Sequence, residues 1–205
     1  MRTAERFLVN VPASWTEADL TGEALARTRR EALAATDDPR AKAAVNDMFR
    51  QGREISRAAR KHGALYAAGT ATQYEDGLFL AYAMVFAVST PEGMELTLPL
   101  LSRQLGLSTV KHKVPADRVV SAVTLENVGR VARVTGTEET PLTADVKAKL
   151  LTMHTIMPVP GTTREYLVVT CASPNLPLKE EAYDLFDAIT GTFRFVSADG
   201  TVVPL

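Results

Sequence analysis

The last third of the chain constrains the fold more than any other part. Residues 150–161 read LLTMHTIMPVPG, a strand that runs into a Pro160-Gly161 turn. REYLVVTCASP supplies a second strand, and an amphipathic helix follows from about Lys179 to Thr190. Thr192-Phe193-Arg194-Phe195-Val196 then reads as a short strand. Leu178, Ala182, Leu185, Phe186 and Ile189 recur every three or four residues, so one face of that helix is apolar and must lie on something. Strand, turn, strand, helix and strand in this order predict an antiparallel sheet with a terminal helix laid across it.

The preceding two thirds extend this plan. Glu5–Val11 alternates as a half-buried strand that Pro12 ends. Ser14 and Glu17 have capping-box spacing, which predicts a helix from about Thr16 carrying Leu20, Leu25 and Leu33. Asp37-Asp38-Pro39 supplies an N-cap and a first-turn proline for a second helix, and Gly63 supplies its stop. Ala41, Val45, Met48, Gly52, Ile55 and Ala59 form its apolar stripe, so the two helices read as an αα-hairpin. A β-hairpin follows, with strands Ala64–Gln73 and Leu78–Val88 around an Asp76-Gly77 turn. Its second strand is apolar on both faces, with small Ala81, Ala83 and Ala87 on one of them. That pattern predicts a central strand with a helix close against the alanines. A short helix is expected from about Leu98 to Gly106, a further hairpin over Val119–Leu125 and Val128–Thr135, and a loop over Gly136–Thr143. The whole is α+β: one domain over residues 1–205, a mostly antiparallel sheet with helices on both faces (an α/β/α sandwich), and an N-terminal helical hairpin insertion.

Composition narrows the function classes. A formal charge of −1 over 205 residues argues against a strongly basic nucleic-acid binder, and nucleic acid is not the expected partner. Cys171 is the one cysteine, so no intrachain disulfide forms, and with three scattered histidines a structural zinc site is not expected. The N-terminus has Glu5 and no apolar run of signal-peptide length, and the longest apolar run, Leu78–Val88, falls well short of the roughly 20 residues of a membrane span. A cytoplasmic location with no membrane partner is the resulting expectation. Phosphate loops of the GxxxxGK[ST] and GxGxxG types do not occur, and no cofactor is expected.

The stretches VTLENVGRVARV, IMPVPGTTREYLVVTCASPN and LFDAITGTFRF resemble small proteins of high-GC Gram-positive bacteria with a PsbP/Mog1-like α/β/α sandwich. The resemblance covers roughly the last 90 residues and rests on turns and core positions. It implies a binding or assembly factor without a conserved active site, and it transfers no catalytic or ligand residue.

Three sets of residues remain as candidates. Arg50, Arg53, Arg57 and Arg60 recur at helical spacing, roughly opposite the apolar stripe of the second helix. Residues 27–61 hold ten Lys and Arg against five Asp and Glu, whereas residues 138–205 hold five against nine. The chain is polarised, and the helix suits a protein partner with an acidic surface. Lys111, His112 and Lys113 form a compact basic cluster that could hold a phosphate or an acidic partner, or serve only as a solvated connector. Cys171 and His154 are the one nucleophile–base pair worth weighing. With a tight turn at Pro160-Gly161, His154 lies opposite Leu167, and Cys171 is about 13 Å further along the strand. A longer loop through Thr162-Thr163 shifts the register and makes the two diagonal neighbours, so a small-ligand-binding protein or minor enzyme using a pocket near Cys171 and His154 is the alternative reading. The Ala-rich stripe of the second helix suits packing on its own sheet or on a second subunit, so a homo-oligomer fits as well.

Overall fold

The structure is a computed structural model that describes residues 6–21, 23–75, 77–93, 117–141 and 147–203. The expected short helix at 98–106 lies outside these residues. The described elements, in chain order, are β1 (Arg6–Leu8), β2 (Thr16–Glu17), α1 (Glu23–Ala34), α2 (Pro39–Lys61), β3 (Ala64–Tyr74) and β4 (Gly77–Ser89). They continue with β5 (Val119–Leu125), β6 (Gly129–Pro141), β7 (Lys147–Pro158), β8 (Glu165–Ser173), α3 (Lys179–Gly191) and β9 (Arg194–Val196).

Seven strands form one sheet in the order β2-β3-β4-β8-β7-β6-β5, and β1 and β9 form a separate two-stranded pair. Every neighbouring pair is antiparallel. The chain builds the β3–β4 hairpin, then the meander β5 to β8, whose last strand returns beside β4. β8 therefore lies at the centre, and its residues from Leu167 to Ser173 are all buried. Ser173 and Asn175 fasten the end of β8 to β4 beyond the last ladder pair. The Ser173 hydroxyl donates to Leu80 O at 2.7 Å, Asn175 Oδ1 accepts from Leu80 N at 2.9 Å, and Asn175 Nδ2 donates to Leu78 O at 2.8 Å. The amide side chain thus stands in for a strand that has ended.

The two faces of the sheet follow from register. Val85, Val169, Thr155 and Arg133 are aligned across β4, β8, β7 and β6 and point one way. Met84, Thr170, His154 and Val134, one residue along, point the other way. α3 lies over β7 and β8 on the first face. There Ala182, Phe186 and Ile189 join a cluster with Val169, Cys171, Met153, Phe193 and Phe195. Each such aromatic or aliphatic side chain contributes roughly 1.5–3 kcal/mol by leaving water. Phe7 of β1 stacks on Phe193 with ring centroids 5.6 Å apart, which ties the two-stranded pair to this core. The opposite face carries a smaller cluster of Phe86, Val88, Val134, Ile156 and Val168, against which Leu20, just before α1, and Ala59 of α2 pack.

Several expectations are met closely: α2 starts at Pro39 with Arg40 N donating to Asp38 Oδ1 at 3.0 Å, and Gly63 closes it with φ +83°. Two are corrected. Thr16 and Glu17 form a strand against Gly69 and Ala68, and α1 begins only at Glu23. Trp15 is buried in the main cluster beside Ala68, Ala81 and Ala83. Burying that indole holds the segment at the edge of β3, and the capping-box spacing of Ser14 and Glu17 is incidental to helix formation. The same indole shares a cluster with the alanines of β4, where a helix was expected close by; α3 crosses β7 and β8 instead. The second correction concerns residues 136–141, expected as loop, which extend β6 and pair with β7 out to Pro141 opposite Lys147.

Candidate functional site

The sheet face opposite α3 carries a chain of polar side chains where an apolar surface would be the default. His154 is 3% exposed and sits in the middle of it. Its Nδ1 lies 2.9 Å from Thr170 Oγ1 on β8, and its Nε2 lies 3.2 Å from Glu138 Oε1 on β6. Arg118, just before β5, donates from Nη2 to the same Glu138 oxygen at 3.2 Å. Four strands or their flanks thus contribute one group each.

Local sequence explains how these groups meet. His154 is aligned with Val134, so Glu138 stands four positions further along β6. Gly136 lies between Val134 and Glu138 on the same face of β6, where it contributes no side chain. A Cβ on Gly136 would come within 3.1 Å of Arg118 Cα, so the glycine admits the chain that carries the arginine. Thr152 donates to Gly136 O at 3.1 Å and Tyr183 of α3 donates to it at 3.2 Å. The carbonyl is held from two sides.

Electrostatics bind the group together. Burial by itself would raise the Glu138 carboxyl, but the hydrogen bond and attraction of His154, followed by those of Arg118, hold it below its ordinary value. It is the anion of the cluster at neutral pH. Tyr82 of β4 is pushed up to about 12, first by burial and then by the Glu138 charge. Among the described residues no hydrogen bond reaches the Tyr82 hydroxyl. Its neighbours in register, Gly69 on β3 and Ala172 on β8, are both small.

The α3 face holds a buried polar cluster of its own. Arg133, 7% exposed, reaches Asp187 and Thr190 of α3, the latter at 2.9 Å, and lies 3.4 Å from Thr155 Oγ1. This arginine anchors the helix to the sheet.

The residues singled out from sequence are placed as follows. Pro158 pairs with Tyr166, so the β7–β8 connection is longer than a two-residue turn and His154 lies opposite Thr170. Cys171 pairs with Met153 and faces α3, while His154 faces the other way. Cys171 is fully buried, and burial pushes its thiol up to about 12. The two side chains are separated by the sheet itself, and His154 cannot deprotonate that thiol. Arg50, Arg57 and Arg60 of α2 are exposed, and Arg53 lies on the same helix. Lys111, His112 and Lys113 lie outside the described residues. The Arg118–Glu138 pair was not found from sequence: its members are distant in the chain and share no motif. One signal was available, because Thr152, His154 and Thr170 are polar residues inside otherwise apolar strands.

Among the described residues no group of three or more His, Cys, Asp or Glu is placed to hold a metal ion, and no described helix is long and apolar enough to cross a membrane. No protein-family model matches the chain, and no curated protein matches it. Among solved structures the chain is similar to LpqN of Mycobacterium tuberculosis, described as involved in cell envelope biogenesis. The two share 10% identity and a TM-score of 0.41, over 93% of this chain and 83% of that one.

Proposed function

We propose that this chain is a non-enzymatic cytoplasmic binding or assembly factor that docks an acidic protein surface through α2. The observation that carries this reading is the charge on that helix. α2 holds seven Lys and Arg against two Asp and Glu in 23 residues. Arg50, Arg57 and Arg60 are exposed. α1 is fastened to the other half of α2, where Arg29 Nε and Nη2 donate to Asn46 Oδ1 at 2.9 and 2.6 Å. A stripe of like charge on one helix attracts an acidic partner and speeds encounter with it, in a salt-dependent way.

The fold reading that accompanies this proposal is a PsbP/Mog1-like sandwich in a single domain, with α3 on one side of the sheet and an inserted α1–α2 hairpin on the other. Phe186 and Ile189 on one face, and Ala59 and Leu20 on the other, support it. The test is capture from native lysate by wild type and by Arg50/Arg53/Arg57/Arg60→Glu, at low and high salt. Wild type retains a partner that high salt weakens and the variant loses. Identical capture by both forms removes α2 as the docking surface.

A second reading draws on Tyr82. A hydroxyl that no hydrogen bond reaches among the described residues, beside the Glu138–Arg118–His154 group, offers a contact to a small polar ligand. A metabolite panel screened by thermal shift on wild type and Tyr82→Phe tests it. A stabilising compound whose effect vanishes in Y82F supports this reading, and a panel without any such compound sets it aside.

A further inference from the structure

The two edges of the seven-stranded sheet are built differently. At one edge β3 is partly covered by the two residues of β2, and Ala18 N extends that cover by donating to Ala67 O at 2.8 Å. At the other edge stands β5, seven residues long with the sequence VVSAVTL. It contains no charge, proline or glycine, which are the usual means by which an edge strand is kept from pairing. Val119 and Val120 are 57% and 58% exposed, although neither is a residue that water favours. Among the described residues no strand pairs with the outer side of β5.

The hairpin register shows which backbone groups point outward. Leu125 is aligned with Gly129, and its carbonyl accepts from Val128 N at 3.2 Å, so its polar groups face β6. In a strand these directions alternate, so the N–H and C=O groups of Val120, Ala122 and Thr124 face away from the sheet.

We propose that β5 pairs antiparallel with β5 of a second copy of this chain, about a two-fold axis at Ala122. The two sheets then continue into one, and Ala122 exchanges both of its backbone hydrogen bonds with its counterpart. Val120 lies opposite Thr124, Ser121 opposite Val123, and Val119 opposite Leu125. Charge selects this register. Arg118 and Glu126 flank the strand, four positions before and after Ala122, so each arginine meets the glutamate of the other copy. A shift of either strand by two residues places those charges opposite uncharged neighbours. Arg118 already binds Glu138, and its five N–H donors suffice for a second carboxylate. A self-complementary patch of this kind closes into a dimer and goes no further.

Sedimentation velocity across a concentration series tests the proposal, with three variants. Wild type runs at twice the 22.2 kDa chain mass. Ala122→Lys, which brings two like charges together at the axis on an exposed position, runs as a monomer with an unchanged circular dichroism spectrum. Glu126→Arg weakens the dimer by about tenfold, the effect of losing two ion pairs at the rim of the contact. Cross-linking supplies a readout independent of the lysine variant's folding. Counterpart Cα atoms at the axis lie about 5.5 Å apart in such a pair, within disulfide reach. Ala122→Cys therefore becomes a covalent dimer under mild oxidation. In Thr124→Cys the two thiols sit about 14 Å apart along the strands, and the chain stays uncoupled. A wild type that is monomeric at about 100 μM overturns the proposal, a concentration at which a specific contact of this size should associate. So does a dimer that Ala122→Lys leaves intact, or equal cross-linking at both positions.

Discussion

The two faces of one sheet solve the same problem with different chemistry. Under α3 the sheet meets Phe186, Phe193 and Phe195, all essentially removed from water, and the buried Arg133 is tied to the helix itself. On the opposite face an apolar patch around Val168 gives way to the Thr170–His154–Glu138–Arg118 chain. Apolar packing is non-directional and tolerates small adjustments, whereas a buried polar chain is stable only while every member keeps its partner. Stability therefore rests on the first face, and the second is where a change of a single atom is felt through pH and coupling.

The largest expected effect breaks the first face. Phe186→Ala removes a fully buried ring at the centre of the α3 contact and is expected to cost about 3–5 kcal/mol in urea unfolding. A loss below about 1 kcal/mol would show that the helix is not seated as described.

Glu138→Gln addresses the second face at nearly constant shape. It removes the charge that Arg118 and His154 share, with an expected cost of about 1–3 kcal/mol at pH 7. The sign with pH is fixed by the lowered carboxyl. Its contribution is complete above the ordinary glutamate value of 4.5 and is lost as the pH falls through the lower folded value. The stability gap between wild type and variant should therefore close in acid. A gap that stays constant from pH 7 to pH 3 would mean that Glu138 is not the anion of this group.

Asp187→Ala measures how far the polar anchor of the α3 face depends on its ion pair. Asp187 is 63% exposed on its side chain and Arg133 only 9%, so solvent weakens the pair, and Thr190 still holds the guanidinium. The cost should be about 1–2 kcal/mol, below that of breaking a fully buried pair. Chemical denaturation at low and high salt checks this, and a cost of 4 kcal/mol or more would move Arg133 from anchor to keystone of the face.

How much of this contrast could be read from sequence depends on whether the deciding interaction is local. The β3–β4 hairpin, the Asp38 cap and Gly63 stop of α2, and the Ala182, Phe186 and Ile189 positions of the α3 stripe are local, and all are where the residues put them, whereas Leu178 of that stripe stays exposed. Ser14 and Glu17 also satisfy a local rule, yet burial of Trp15 overrides it. The stretch Gly136-Thr137-Glu138-Glu139 reads as loop because it lacks alternating apolar residues, and it is a strand because β7 offers it a partner. The polar chain is the least local feature. Whether His154 faces Leu167 or Thr170 depends on the length of one connection, and a three-residue change there decides which partners it has. A polar residue inside LLTMHTIMP was visible as an anomaly, but its partner was not.

Thr170→Val carries the smallest expected effect and the sharpest test of the polar chain. Valine keeps the shape and removes the oxygen that lies 2.9 Å from His154 Nδ1. When the imidazole is neutral and donates from Nε2 to Glu138, its Nδ1 accepts from the Thr170 hydroxyl, and the valine leaves that nitrogen without a donor. The loss should be about 1 kcal/mol by thermal or urea unfolding. The decisive quantity is the double variant with Glu138→Gln. Thr170 and Glu138 bond to opposite edges of one imidazole. If the ring transmits, the two losses depart from additivity by about 0.5 kcal/mol or more. Additive losses would reduce the chain to two separate hydrogen bonds, and the second face would then differ from the first in composition but not in cooperativity.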